Sequence, residues 1–236
     1  DITILTSNGD GTFTNGQTIT PTGSSGPVSI ATGYIDGDTN LDLVVADPAI
    51  DTIWVILGNG DGTFQTTGIS PVAISLSPGN GPAAVVIGDF DGDGFADLAV
   101  VNQGTSMESC SAPIGSQDSV TILFGLGDGT FYPIGSLIKP PLTYSVGSNP
   151  RAIALGDFNQ DGVQDLVTAN YCSDDISVLE GVGDGTFQPA ISFSTGMPGQ
   201  DRPTGVAVGD LDNTGFDDIV VTDSGTDSVS VLLNNN

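Results

Sequence analysis

The stretch GDFDGDGFADLAV, residues 88–100, sets Asp89, Asp91, Asp93 and Asp97 at alternate positions and then runs into an apolar strand. Carboxylates this close repel and raise one another's pKa. Either a cation neutralises them or the segment is a solvated turn. The rest of the chain favours the cation, because nearly the same pattern returns at GYIDGDTNLDLVV (33–45), GDFNQDGVQDLVT (156–168) and GDLDNTGFDDIVV (209–221). A costly arrangement written out at matching places in a repeat argues for a bound ion.

A second unit, GDGTF, stands at 9–13, 60–64, 127–131 and 183–187. Each copy follows an apolar run: ITIL (2–5), TIWVIL (52–57), SVTILF (119–124) and ISVLE (176–180). A fifth run, SVSVLL (228–233), has no GDGTF after it. The first unit recurs at intervals of 55, 68 and 53 residues, the long one carrying an insertion around 102–118. Within each period four strands can be drawn. Strand A (82–90) precedes the Asp cluster, strand B (97–102) follows it, strand C is the run before GDGTF, and strand D opens at the recurring Phe. Apolar β-branched runs bounded by Gly, Asp and Asn are the strand and hairpin signal. The Asp-Gly pair predicts a type I′ turn, with Phe13, Phe64, Phe131 and Phe187 packing between sheets.

Four-stranded units at this period predict an all-β fold, a β-propeller-type array of antiparallel blades that must stack to bury their faces. The expected bounds are a C–D pair at 1–26, blades at 27–81, 82–149 (with the insertion) and 150–203, and an A–B–C triplet at 204–236. That makes about four to four and a half blades, incomplete or completed by another copy.

Composition agrees with many short strands. Of 29 acidic residues only Glu108 and Glu180 are Glu, and there are 34 Gly. Asp and Gly belong to turns and caps rather than helix interiors. A net charge of −26 argues against nucleic acid and anionic membrane surfaces as partners and suits cations, basic surfaces or neutral ligands. No apolar run reaches the roughly 20 residues that span a bilayer, so membrane insertion is not expected. The chain opens on Asp1, which leads to the expectation of a processed protein or a piece of a longer one. Cys110 and Cys172 occupy comparable places after consecutive B strands. A disulfide between neighbouring repeats is the favoured reading and two free thiols the other.

A hard cation such as Ca²⁺ takes six to eight oxygens, and a tight loop presents them from positions 1, 3, 5, 7 (a carbonyl) and 9, with Gly at 6. The second loop then offers Asp89, Asp91, Asp93, the Phe95 carbonyl and Asp97. The third offers Asp157, Asn159, Asp161, the Val163 carbonyl and Asp165; the fourth, Asp210, Asp212, Thr214, the Phe216 carbonyl and Asp218. The first has only Asp36, Asp38, the Asn40 carbonyl and Asp42, with Tyr34 at position 1 and Thr39 in place of Gly. Ligand count predicts the second loop to be tightest and the first weak or empty.

The motif D-x-D-x-D-G-x-x-D-L between apolar strands, with its GDGTF turn, resembles the FG-GAP/VCBS repeat family, also found in the head of integrin α subunits. The resemblance implies Ca²⁺ in each A–B loop, blades commonly seven to a ring, and a secreted or surface protein. With four A strands here, a ring of seven is out of reach.

Enzyme signals are few. The chain has no His, the usual general base. Trp54 reads as core or rim packing, with sugar stacking as the alternative. Arg151 and Arg202 are expected to pair with carboxylates, and Glu108 and Glu180 to lie on the surface. The function expected is therefore non-catalytic: an extracellular calcium-binding propeller mediating binding or adhesion to a protein or glycan. The first alternative is a structural subunit that polymerises through incomplete end blades into a filament. A further one is an accessory module of a carbohydrate-active enzyme.

Overall fold

The computed structural model describes residues 1–67, 70–76, 81–104, 110, 118–196 and 199–235. These form seventeen strands in five antiparallel sheets, with one 3-10 turn at Pro48–Ile50. The first sheet is a hairpin, β1 (Ile2–Ser7) and β2 (Phe13–Ile19). The second runs β3 (Ser29–Gly33), β4 (Asp42–Asp47), β5 (Thr52–Ile56), β6 (Val72–Ser75). The third runs β7 (Pro82–Gly88), β8 (Asp97–Gln103), β9 (Asp118–Leu123), β10 (Leu142–Ser145). The fourth runs β11 (Pro150–Gly156), β12 (Asp165–Asn170), β13 (Asp175–Leu179), β14 (Ile191–Ser194). The last has three strands, β15 (Pro203–Gly209), β16 (Asp218–Asp223) and β17 (Ser228–Leu232).

Each of the last four sheets is a meander of the kind found in propeller blades, and their A strands β3, β7, β11 and β15 lie side by side. The array does not close into a ring among the described residues.

The period-two geometry of a strand explains why the B strands are apolar at successive residues. Leu43 and Val45 face the hairpin with Ile19 and Trp54, while Val44 and Ala46 face the third sheet. Leu98 and Val100 pack back toward the second sheet, Ala99 and Val101 forward onto the fourth. Leu166 and Val167 divide in the same way between the third and fifth sheets. Both faces of an inner sheet are covered, so the buried polar residues of its B strand, such as Asn102, Thr168 and Asn170, are hydrogen-bonded inside the sheet.

Pro82, Pro150 and Pro203 open β7, β11 and β15, and the pairing register shifts just after each. Proline lacks the N–H that a ladder needs and is tolerated at the first residue of an edge strand. The A strand is such an edge.

Two local expectations differ from the structure. In the inner sheets the recurring Phe does not open strand D; Phe64, Phe131 and Phe187 make single bridges to Gly58, Gly125 and Gly181. The D strands begin later, at Val72, Leu142 and Ile191. Each Phe does pack between sheets: Phe187 meets Phe90 and Tyr144 edge-on, both at 5.6 Å. Only Phe13 opens a strand (β2), and with no sheet before it the ring is exposed.

The GDGT turn is not type I′ either. Both glycines have positive φ (Gly127 at 72°, Gly129 at 85°), but the Asp between them does not. Instead the loop is closed across four residues, by Asn8 N–H to Thr12 O, Asn59 to Thr63, Leu126 to Thr130 and Val182 to Thr186. The side chain of each Asp (10, 61, 128, 184) accepts from the Thr hydroxyl and the Thr N–H two residues on. Those bonds, the hydroxyl's first, hold the four carboxyls below the ordinary Asp pKa.

Candidate metal centres

Antiparallel pairing puts the A–B loop and the C–D loop of one sheet at the same rim, and one carboxylate fastens them together. Asp42, Asp97, Asp165 and Asp218 each sit opposite the last residue of the A strand (Gly33, Gly88, Gly156, Gly209) and are closed off from solvent. Oδ2 of each accepts the N–H of Ile35, Phe90, Phe158 or Leu211 at 2.7–3.0 Å. Oδ1 accepts the N–H of Gly58, Gly125, Gly181 or Asn234, at 2.8 Å in every case. This fastening role is what the sequence reading missed. The signal was the constancy of the last Asp across all four loops, including the first, whose other ligands are incomplete.

Burial raises the pKa of Asp42 and Asp165, and carries that of Asp97 to about 6 against the pull of its two N–H donors. Asp218 moves the other way. Its backbone donors, Asn234 first and then Leu211, outweigh the desolvation that would raise it.

Within the loops the first Asp shapes the curl. Asp89 accepts from Gly92 and Gly94, Asp157 from Asp161 and Gly162, and Asp210 from Thr214 and Gly215, all at 2.9–3.1 Å. Gly94, Gly162 and Gly215 at position 6 have φ of 82–88°, a region open to glycine without strain. The position-4 residues are left-handed too: Gly37, Gly92, Gln160 and Asn213. The first loop has no counterpart of the shaping carboxylate, since Tyr34 stands there and is exposed. It is held by Asp36 and Asp38, which accept from Asp38 N–H and Asn40 N–H.

Three carboxylates bring an oxygen within 4.8 Å of one another in two of the loops: Asp89, Asp91 and Asp97, and Asp210, Asp212 and Asp218. In the third, Asn159 replaces one acid and its amide donates to Asp161 at 3.0 Å. Asp93 and Asp161 turn their Oδ1 to the N–H of Phe95 and Val163. Such oxygen-rich, carboxylate-dominated sets have the chemistry of a hard divalent cation.

The second loop contains a further group. The ammonium of Lys139 pairs with Asp91, lies 3.6 Å from Asp93 and sits 4.2 Å from the centroid of the Phe124 ring. Burial lowers its pKa, against the field of Asp89.

The loops also touch along the array. Gln160 Nε2 donates to Gly215 O at 2.6 Å, Asp157 N–H to Asp217 at 2.9 Å, and Gly185 N–H to Phe90 O at 2.9 Å. The rim is therefore a continuous row of acidic loops.

Other candidates fall outside it. Trp54 is nine-tenths buried between the hairpin and the second sheet, so its ring is closed to a sugar. Arg151 and Arg202 form no ion pair with the described carboxylates; both stack on Tyr171, at 3.5 and 5.7 Å. Glu180 lines a cleft between the last two sheets, and Glu108 lies outside the described residues. Cys110 and Cys172 form a disulfide that ties the insertion after β8 to the turn after β12.

Repeated four-strand meanders with an Asp-rich A–B loop define a class of propeller-type repeats. The chain belongs to the FG-GAP-like repeat family, which matches residues 1–45, 34–100, 110–168 and 157–221; the FG-GAP repeat also matches at 81–122. No curated protein sequence matches it. Among solved structures, a protein from Lactobacillus plantarum is similar at a TM-score of 0.57 and 17% identity, over 98% of this chain and 63% of that one. BBS1N, solved in complex with ARL6DN, is similar at 0.50 and 16%, over 89% and 57%. At such identities the likeness is one of fold. The chain spans about three fifths of the length of these structures.

Proposed function

We propose that the chain is a non-catalytic, calcium-binding repeat array that works outside the cell or at its surface, holding a protein or glycan ligand or mediating adhesion. The convergence of three carboxylates in the second and fourth loops is the observation that carries the calcium reading. The ligands would be Asp89, Asp91, Asp93, Asp97 and the Phe95 carbonyl in the second loop, and the matching residues of the third and fourth. Calcium would neutralise the row of acidic loops and fix their shape, leaving the rim as a rigid binding face. The disulfide supports an oxidising compartment.

A metal site absent from the unfolded chain adds its binding energy to stability. Isothermal titration with calcium, paired with melting in millimolar calcium and in excess EDTA, tests the proposal. The expected result is saturable binding and a lower Tm in EDTA. An absence of heat together with an identical Tm would overturn it.

A second reading, a subunit that assembles head to tail, has its own support. Among the described residues the last sheet has three strands, and β17 lies at its edge with Val229 and Val231 exposed. Beside it a cleft of about 280 Å³ is lined by Phe158, Phe193, Leu232 and Leu233. At the other end the hairpin exposes Leu5 and Phe13. Unpaired edges of this kind favour open, repeating contacts.

A further inference from the structure

Lys139 is the only lysine of the chain, and its ammonium lies inside the loop with the most carboxylates. The placement is built rather than incidental. The segment between Phe131 and β10 runs over 132–141, whereas only residues 65–71 and 188–190 fill the same interval in the neighbouring sheets. The longer segment folds back over the rim: Ser136 Oγ accepts the N–H of Ile138 and of Lys139 at 3.2 and 3.4 Å. The lysine ammonium lies over the face of Phe124, with the centroid of Tyr132 at 5.9 Å. The side chain of Asp91 is 7% exposed, covered by Lys139 on one side and, on the other, by Gly185, where an added Cβ would lie 3.1 Å from Asp91 Cβ. Among the described residues no other acidic loop holds a basic side chain.

We infer that Lys139 is a tethered counter-ion which occupies the second loop and competes with calcium for it. This rests on the calcium reading of the loops. It reverses the affinity order that ligand count alone predicts: the fourth loop, whose three carboxylates face no cation, fills before the second. A divalent ion entering the second loop must expel the ammonium from Asp91, because two cations cannot share that oxygen cluster. Expulsion frees the 132–141 segment, whose neighbouring Leu137 and Ile138 are already 100% and 85% exposed. The second loop is thereby a site that responds only at higher calcium, and it moves a surface segment when it does. A pair formed nine-tenths of the time lowers apparent calcium affinity about tenfold.

The test uses the 236-residue chain and calcium alone. Calcium isotherms are recorded for the native chain, Lys139→Gln and Lys139→Arg, and the native chain is also labelled with ¹³Cε-lysine, which yields a single side-chain NMR signal. The expected result is one site strengthened about tenfold or more in Lys139→Gln but not in Lys139→Arg. The lysine signal should move only after the first calcium has bound. Identical isotherms in all three proteins, or a lysine signal unmoved while every site fills, would overturn the inference and leave calcium binding intact. If none of the proteins binds calcium, the proposed function falls and this inference with it. The lysine signal needs no variant, so the test survives a substitution that impairs folding.

Discussion

At the scale of single residues, the buried Asp of each loop performs a structural task that a metal ligand does not require. Asp165 accepts one N–H on each oxygen, from Phe158 and from Gly181. Asn has the same shape but a single acceptor, so Asp165→Asn leaves one buried N–H facing an amide donor. Urea unfolding in EDTA should register a loss of about 1–3 kcal/mol, the cost of a buried group left unsatisfied. The pH response follows from the same carboxyls. Burial carries Asp97 to about 6 and raises Asp42 and Asp165. A folded chain that keeps its proton to higher pH than the unfolded chain gains stability on acidification. Through these three carboxyls the metal-free protein should lose stability as pH rises from about 4 to about 6, with the downward-shifted Asp218, Asp10, Asp61, Asp128 and Asp184 contributing in the opposite direction. If the loops hold calcium as proposed, calcium should reverse the slope, because protons then displace a stabilising ion. Melting curves across that window, with EDTA and with calcium, check both signs.

At the scale of the elements, loop and hairpin shape rest on a few left-handed positions. Gly162 has a φ of 82° and open space where a Cβ would go, so strain alone decides the effect of a side chain. Gly162→Ala should cost about 1–2 kcal/mol in the metal-free state, the usual penalty for a left-handed L-residue. It should also weaken calcium at the third loop by misplacing Asp161 and the Val163 carbonyl. The disulfide acts between elements. It closes a stretch with a sequence separation of 62 residues, and the chain-entropy relation gives about 4 kcal/mol for a loop of that length. Unfolding with and without a reductant should differ by up to that amount, and Cys172→Ser should reproduce the reduced protein.

At the scale of the whole molecule, the array is a stack whose inner sheets are covered on both faces and whose outer faces carry no sheet among the described residues. The terminal glycine of each A strand records this. A Cβ at Gly33 would lie 3.0 Å from Ile87 in the next sheet, and one at Gly156 would meet Val208 at 3.0 Å. At Gly209 it would meet nothing, because no sheet packs there among the described residues. If the bare end recruits another copy, light scattering should show mass rising with concentration, and Val231→Lys, a charge on the exposed strand, should hold the protein monomeric. A single mass at all concentrations would leave the ends without a partner of their own kind.

The sequence by itself determined the repeat, the strand order within each sheet and the candidate ligand positions. Those are carried by local chemistry: Gly and Asp where the chain must turn, β-branched residues where it is covered. It could not show that Asp97 fastens Gly125, or that Phe131 bridges to Gly125 without opening a strand, since both depend on where the C–D loop comes to rest. Nor could it show that the arginines stack on Tyr171 rather than pair with acids. Only the tertiary structure placed Lys139 in the second loop, 46 to 48 positions away along the chain from Asp93 and Asp91. A tether of ten residues folding back over the rim brings that charge there, and such a path leaves no periodic trace in the sequence.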